Sequence, residues 1–339
     1  MARADTVDVI AVVGACGPER HRYARDLAAA TARTFFPATG LELSPSPVDE
    51  AVAMIPWTDA PAGAVVEFPA TVVATELVGN LTAEDTPAQL TSIVCVVDAP
   101  HLLNDLDRDD YAVQLSRHGR HHIARAMLTA LQLEYASVIV FVNWEGVDTP
   151  RLARLMALAS HVSPHARLRL HVDAGADTPS AERGAKTHGH PGWVSLLNDE
   201  FAPRMTDPGV SAFRYEQARP LHPARLQRLL DERIERGEFG AVIRSAGFCR
   251  LATRPCRTAQ WDHVGRMISF SPVGGDEPEE LLALGQDLAF IGLGLDHTGL
   301  TAALDDAALT DAELTAGPAR WARFADPFPA WSDATRQTG

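Results

Sequence analysis

The residues of this chain with the most chemical promise lie at the end of its first apolar run. Asp8 to Val13 reads as a strand, Gly14 ends it, and Ala15, Cys16, Gly17, Pro18, Glu19, Arg20 and His21 lead into a helical pattern from Tyr23 to Phe36. A strand, a glycine turn and a helix start aim backbone N–H groups at an anion, which is how a phosphate-binding loop works. Gly14, Gly17, Arg20 and His21 are the candidate nucleotide contacts. Such a loop needs Gly, Lys and a hydroxyl residue where the spacing from Gly14 puts Glu19, Arg20 and His21. Glu19 sets a carboxylate against the phosphates, Arg20 is a bulkier cation than lysine, and His21 lacks the magnesium-binding hydroxyl. The turn reads either as a nucleotide site with altered contacts or as a strand-to-helix turn that has lost that role.

Other groups could do chemistry too. Asp98 follows the apolar strand Ser92 to Val97, at the strand end where open α/β sheets place ligands; it could equally cap the next turn. His118 and His122 stand four apart in a stretch read as a helix from Tyr111 to Leu131, a spacing that suits a metal pair, although Gly119 lies between them and a solvated basic face accounts for them as well. His188 and His190 sit with Lys186 in a loop from Asp173 to Pro191 of Gly, Ala, Pro, Thr and Asp, where they could hold a metal loosely or stay solvated. Lys186 is the only lysine, so any step needing a lysine must use it. The four cysteines, Cys16, Cys95, Cys249 and Cys256, are spaced singly, with no pair of the metal-clip kind, and fit a reducing compartment.

The elements that must position these groups alternate. Strands at Asp8 to Val13, Ala64 to Phe68, Ser92 to Val97, Ser137 to Val142 and Ala166 to Val172 are separated by helical stretches, including Thr149 to Ser160 and a short piece near Val48 to Ile55 within the loop Pro37 to Pro61. That order predicts a mostly parallel sheet with helices on both faces. Farther on, a strand at Val210 to Tyr215 and a helix bearing Leu226, Leu229, Leu230 and Ile234 precede a strand from Ala241 to Thr253, in which Gly247 suggests a bulge or bend. Asp262 to Ser271 and Asp287 to Gly292 read as further strands and Leu300 to Ala308 as a helix. Trp321, Phe324, Phe328 and Trp331 should lay the tail back onto this α+β part.

With 339 residues the chain has room for two domains, placed at 1–205 and 206–331. A net charge of −14 argues against bulk attraction to nucleic acid. No apolar run is long enough to cross a bilayer and the start does not read as a signal peptide, so a cytoplasmic protein is expected.

The wording of the last third is specific. Arg219 to Leu226, Arg244 to Phe248, Leu251 to Pro255, Trp261, Phe290 to Asp296, Leu309 to Glu313 and Asp326 to Trp331 together resemble, in order, the C-terminal domain of the CobW family of P-loop GTPases and zinc metallochaperones. The resemblance implies a P-loop NTPase-like first half followed by a smaller CobW C-terminal domain, with GTP, magnesium and zinc as the family's ligands. It also locates departures. The family's Cys-x-Cys-Cys metal motif would fall in Pro37 to Pro61, which has no cysteine. The glycine of its switch segment is missing after Glu67. Its guanine-reading Asn-Lys-x-Asp corresponds to Asn143, Trp144, Glu145 and Gly146, and Asp148 comes two residues late.

Three functions follow as expectations. The first is a degenerate GTPase acting as an adaptor, similar to actinobacterial members that recruit a hibernation factor to ribosomes under zinc limitation. The second is a GTP-dependent zinc metallochaperone with histidine or carboxylate ligands, and the third is a GTPase that uses Arg20 for lysine. For the adaptor, a partner surface built on Arg219, Arg244 and Arg254 is expected.

Overall fold

The computed structural model describes residues 6–83, 85–116, 119–172, 190–255, 257–273 and 285–331. The chain divides into one unit of Met1–Gly192 with Phe201–Asp207, and a second of Trp193–Glu200 with Pro208–Gly339.

In the first unit the elements run β1 Val7–Val13, α1 Gly17–Ala30, β2 Thr34–Phe36, α2 Pro47–Met54, β3 Ala64–Glu67, α3 Ala74–Leu81, β4 Ala88–Asp98, α4 Leu102–Leu106, β5 Tyr111–Ser116, β6 Gly119–Ala124, α5 Arg125–Glu134, β7 Val138–Val142, α6 Thr149–Val162 and β8 Arg167–Leu170. Six strands form a sheet in the order β2-β3-β1-β4-β7-β8, and every adjacent pair is parallel. β3 and β7 are buried along their whole length and β1 over its last five residues. Such runs mean that both faces of the sheet are covered, as parallel sheets require. On one face Ile10, Val12, Val65, Val94, Val96, Val138, Val140 and Val142 pack with Tyr23, Ala24, Leu27 and Ala28, the helical stripe of α1.

The order places the loops after β1 and β4 side by side. β1 connects outward to β2 and β4 connects the other way to β7, so the crevice at their carboxyl ends is the topological switch point where this architecture holds ligands.

Two readings of this unit change. The helix expected over Tyr23 to Phe36 begins at Gly17 and stops at Ala30. Ala32 takes a left-handed φ of 51°, and Thr34, Phe35 and Phe36 pair with β3 as an edge strand. The helix expected over Tyr111 to Leu131 is instead the antiparallel hairpin β5–β6 followed by α5. Tyr111, Val113 and Ile123 suit a pleated ribbon, and tertiary context chose it over a helix broken by Gly119.

A short helix α7, Gly192–Leu197, precedes the second unit's sheet. That unit contains β9 Val210–Gln217, α8 Pro223–Leu229 continuing into a π-helical turn Leu230–Ile234, β10 Ala241–Cys249, β11 Ala259–Val264, β12 Met267–Pro272, β13 Gln286–Leu293, α9 His297–Ala307, α10 Asp311–Ala316 and α11 Pro318–Trp321. Its sheet is antiparallel in the order β12-β11-β10-β13-β9. Leu226, Leu229, Ile234, Leu300 and Leu304 share one core with Trp261, Leu288 and Phe290, and Phe328 and Trp331 of the tail pack against it. The single strand expected over Asp262 to Ser271 is a hairpin turned at Gly265. The ladder slips at Ile243 rather than at Gly247. Gly247 stays in register at φ 145°, where a Cβ would lie 2.1 Å from the Asp287 carbonyl oxygen, so only glycine lets β13 come this close.

Candidate functional site

β1 ends in a turn that leaves no spare room. Gly14 has φ 143°, and a Cβ there would sit 2.2 Å from the Val96 carbonyl oxygen of β4. Cys16 donates its thiol to the same oxygen at 3.3 Å. α1 starts on Gly17 and Pro18, whose fixed φ suits a first helical turn, and Arg20 N–H bonds back to Cys16 O. The Arg20 side chain then turns inward. Its Nη1 donates to Gly14 O at 2.6 Å and its Nε to Glu67 Oε1 at 3.1 Å. Arg20 is 4% exposed and Glu67, the last residue of β3, is 1% exposed.

Glu67 is a junction. Besides Arg20 it meets His21 Nδ1 at 2.8 Å through Oε2, which also accepts from the Ala38 N–H at 3.2 Å. One buried carboxylate thus ties the β1–α1 turn, the first turn of α1 and the segment after β2. The His21 ring rests tilted against Phe35 at 5.6 Å. The cation that could meet a phosphate is spent on a carboxylate inside the protein, where an unpaired charge would be costly.

A second cluster stands at the ends of β4 and β7. Asp98 accepts from Asn143 Nδ2 at 2.9 Å and pairs with His101 Nδ1 at 2.5 Å. This hydrogen bond raises the His101 pKa above its ordinary value. Asn143 takes a left-handed φ of 54°, which turns the chain into a short 3-10 helix. Asp148 caps α6 by accepting from the Arg151 N–H at 2.9 Å. The structure therefore brings Gly14, Gly17, Arg20, His21, Asp98 and Asn143 to the strand ends, while Asp148 works as a helix cap. Glu67 is the member of the site whose part sequence reasoning underrated; an acid closing an all-apolar strand was its only signal.

These residues do not fit a magnesium-bound nucleoside triphosphate. Arg20 and Glu67 close the loop from within, Glu19 adds a carboxylate, and His21 engages Glu67 instead of offering a hydroxyl. The described thiols are held in their neutral form: burial, then Glu19, pushes Cys16 up to about 12, and burial also raises Cys95 and Cys249. Among the described residues no group of three His, Cys, Asp or Glu could hold a metal ion. His122 lies exposed on strand β6, opposite Val113, and not on a helix; His118 and His188 fall outside the described residues, and His190 is exposed.

The arginines of the second unit divide. Arg244 is 1% exposed, donating through Nη2 to Asp262 at 2.7 Å and through Nη1 to His263 O at 3.3 Å. It is buried where β10 pairs with β11 and does not stand on a surface. Arg219 bonds Asp311 and the Leu309 carbonyl. Arg254 grips Asp326 with two nitrogens, donates to Phe328 O at 3.0 Å and lies 4.3 Å from the Trp331 ring centre. A groove of about 490 Å³ opens there, lined by Thr253, Arg254, Phe324, Phe328 and Trp331 among others.

A parallel sheet with a phosphate-loop turn at its switch point, joined to a separate antiparallel sheet domain, defines a P-loop NTPase-like protein with an appended α+β domain. Residues 210–308 match the cobalamin synthesis protein cobW C-terminal domain. The chain carries a CobW-type C-terminal domain. It is 26% identical over 271 residues to zinc-regulated GTPase metalloprotein activator 1 of Dictyostelium discoideum, a match covering 71% of this chain and 56% of that one. It is also 26% identical over 238 residues to a zinc chaperone of Mycobacterium tuberculosis, covering 61% and 55%. The chain thus spans about half the length of the curated relatives it matches. Zn(II)-bound YjiA GTPase from E. coli aligns over 90% of this chain and 99% of its own at 12% identity, with a TM-score of 0.38. Among the described residues no helix is long and apolar enough to cross a membrane.

Proposed function

We propose that this chain is a CobW-type protein of zinc homeostasis whose nucleotide loop has become structural and which acts in the cytoplasm as an adaptor for a protein partner. The observation that carries the reading is the buried Arg20–Glu67 pair at 3.1 Å. A loop that satisfies its own cation has nothing left to neutralise a terminal phosphate in the transition state. The partner that the family resemblance favours is a ribosome hibernation factor, recruited under zinc limitation. The groove beside Arg254, with its aromatic walls, supports a protein-facing role for the second unit, since arginine and aromatic side chains carry much of the energy of interfaces.

A zinc metallochaperone is the second reading, favoured by the names of the relatives in Dictyostelium and Mycobacterium. Two measurements separate them. Incubation with GTP and magnesium should give negligible turnover, unchanged by Arg20→Ala; turnover that Arg20→Ala abolishes would overturn the adaptor reading. Zinc should be lost on chelating dialysis, whereas stoichiometric retention would favour the chaperone.

A further inference from the structure

One stretch of the first unit carries charge that no lysine or arginine within it offsets. Between Arg33 and Arg108 there is no lysine or arginine, while eleven residues are Asp or Glu. Of these Glu42, Asp49, Glu50, Asp59 and Glu76 are exposed, and among the described residues none of the five belongs to an ion pair. Their hydrogen bonds go to neutral groups: Asn80 Nδ2 donates to Asp49 at 3.1 Å, bridging α3 to α2, and Thr34 Oγ1 donates to Asp59 at 3.0 Å.

Within this acidic field stand two large apolar side chains in water. Leu43, just before α2, is 92% exposed and Trp57, just after it, is 81% exposed. Neither is needed by the core, because Leu41, Val48, Ala51 and Ile55 already supply the buried contacts of this segment. Exposed apolar side chains on either side of a helix whose first turn carries Asp49 and Glu50 have the composition of an interface anchor with a charged rim.

We propose that the α2–α3 face, with Leu43 and Trp57, docks a basic segment of a partner protein. An apolar side chain of that segment packs on Trp57, and its arginine or lysine groups meet Asp49, Glu50 and the neighbouring acids. Charge decides the class of partner. Nucleic acids and anionic membranes are repelled by the same carboxylates that attract a basic chain. A second copy of this protein brings a net charge of −14 to the contact and is disfavoured for the same reason. The face stands on these residues alone and does not rest on the fate of nucleotide turnover.

The full chain is titrated with a labelled synthetic peptide of alternating arginine and leucine, and with matched arginine–serine and glutamate–leucine peptides. The arginine–leucine peptide should bind and the other two should bind at least about tenfold more weakly. Trp57→Ala, and separately the pair Asp49→Asn with Glu50→Gln, should each weaken binding by about tenfold or more without moving the melting temperature, and added salt should weaken it further. Equal binding of the arginine–serine peptide, with no effect of Trp57→Ala, would reduce the face to bulk attraction and overturn the proposal. Failure of the arginine–leucine peptide to bind would overturn it too, as would its displacement by stoichiometric zinc, which would make the face a cation site.

Discussion

Among the described residues each unit buries one arginine almost completely, and the two are put to different uses. Arg20 lies in a turn at the mouth of a parallel sheet, where it bonds Gly14 O and the buried Glu67. Arg244 lies in an antiparallel ladder, where its partner Asp262 is partly open to solvent and a second donor, Gln260 Nε2, reaches the same carboxylate at 2.8 Å. The first pair is sealed, so each member depends on the other. The second is one contact in a network with water at its edge. A buried guanidinium can thus close a former ligand site or stiffen a sheet, and the nature of its acceptor distinguishes the two.

The comparison breaks most sharply at Glu67. Glu67→Ala leaves Arg20 buried without a counter-charge and removes the acceptor of the Ala38 N–H, so it should cost about 3–5 kcal/mol in chemical denaturation. Adding Arg20→Leu should recover most of that loss, because the charge goes with its partner. A Glu67→Ala protein that unfolds with the wild type would show that the loop is not held shut by this pair.

In the second unit the test is pH. Burial, and then the Arg244 charge, lower the His263 pKa to about 4. The unfolded chain takes up a proton near pH 6.5 while the folded one does not. Stability present above pH 6.5 should therefore fall as the pH drops toward 4, by on the order of 3 kcal/mol in all. His161 and His222 are also lowered by burial, so the measurement is the difference in slope between wild type and His263→Gln. An unchanged slope would mean that His263 is already charged beside Arg244. At lower pH Glu313, held down to about 2 by Arg225, should add a further loss that begins below about pH 4.5, where the unfolded carboxylate takes up its proton, and is complete near pH 2.

The smallest effect belongs to an arginine outside both interiors. Arg219 pairs with an exposed Asp311. Arg219→Ala should cost about 0–1 kcal/mol by thermal unfolding. A larger loss would make the Arg219 bond to the Leu309 carbonyl, rather than the ion pair, the contact that holds the start of α10.

The inner strands β1, β3 and β7 were legible because buried parallel strands are apolar along their length, as in Val138 to Val142, and neighbours a few residues away suffice to define them. The order of family-like phrases from Arg219 to Trp331 carried the identity of the second unit. The hairpin at Tyr111 to Ala124 was not legible, since its residues bear helix and strand readings alike and only pairing chooses. Sequence by itself determined that the phosphate loop lacks lysine and hydroxyl. Only the tertiary structure decided what Arg20 does instead, because its acceptor lies 47 residues away on another strand. The same holds for Arg244, which reads as a surface charge and is buried against Asp262 of the neighbouring strand, 18 residues away. Local backbone preference acts over a few residues, whereas the cost of burying a charge is decided by whichever group the fold brings within hydrogen-bond reach.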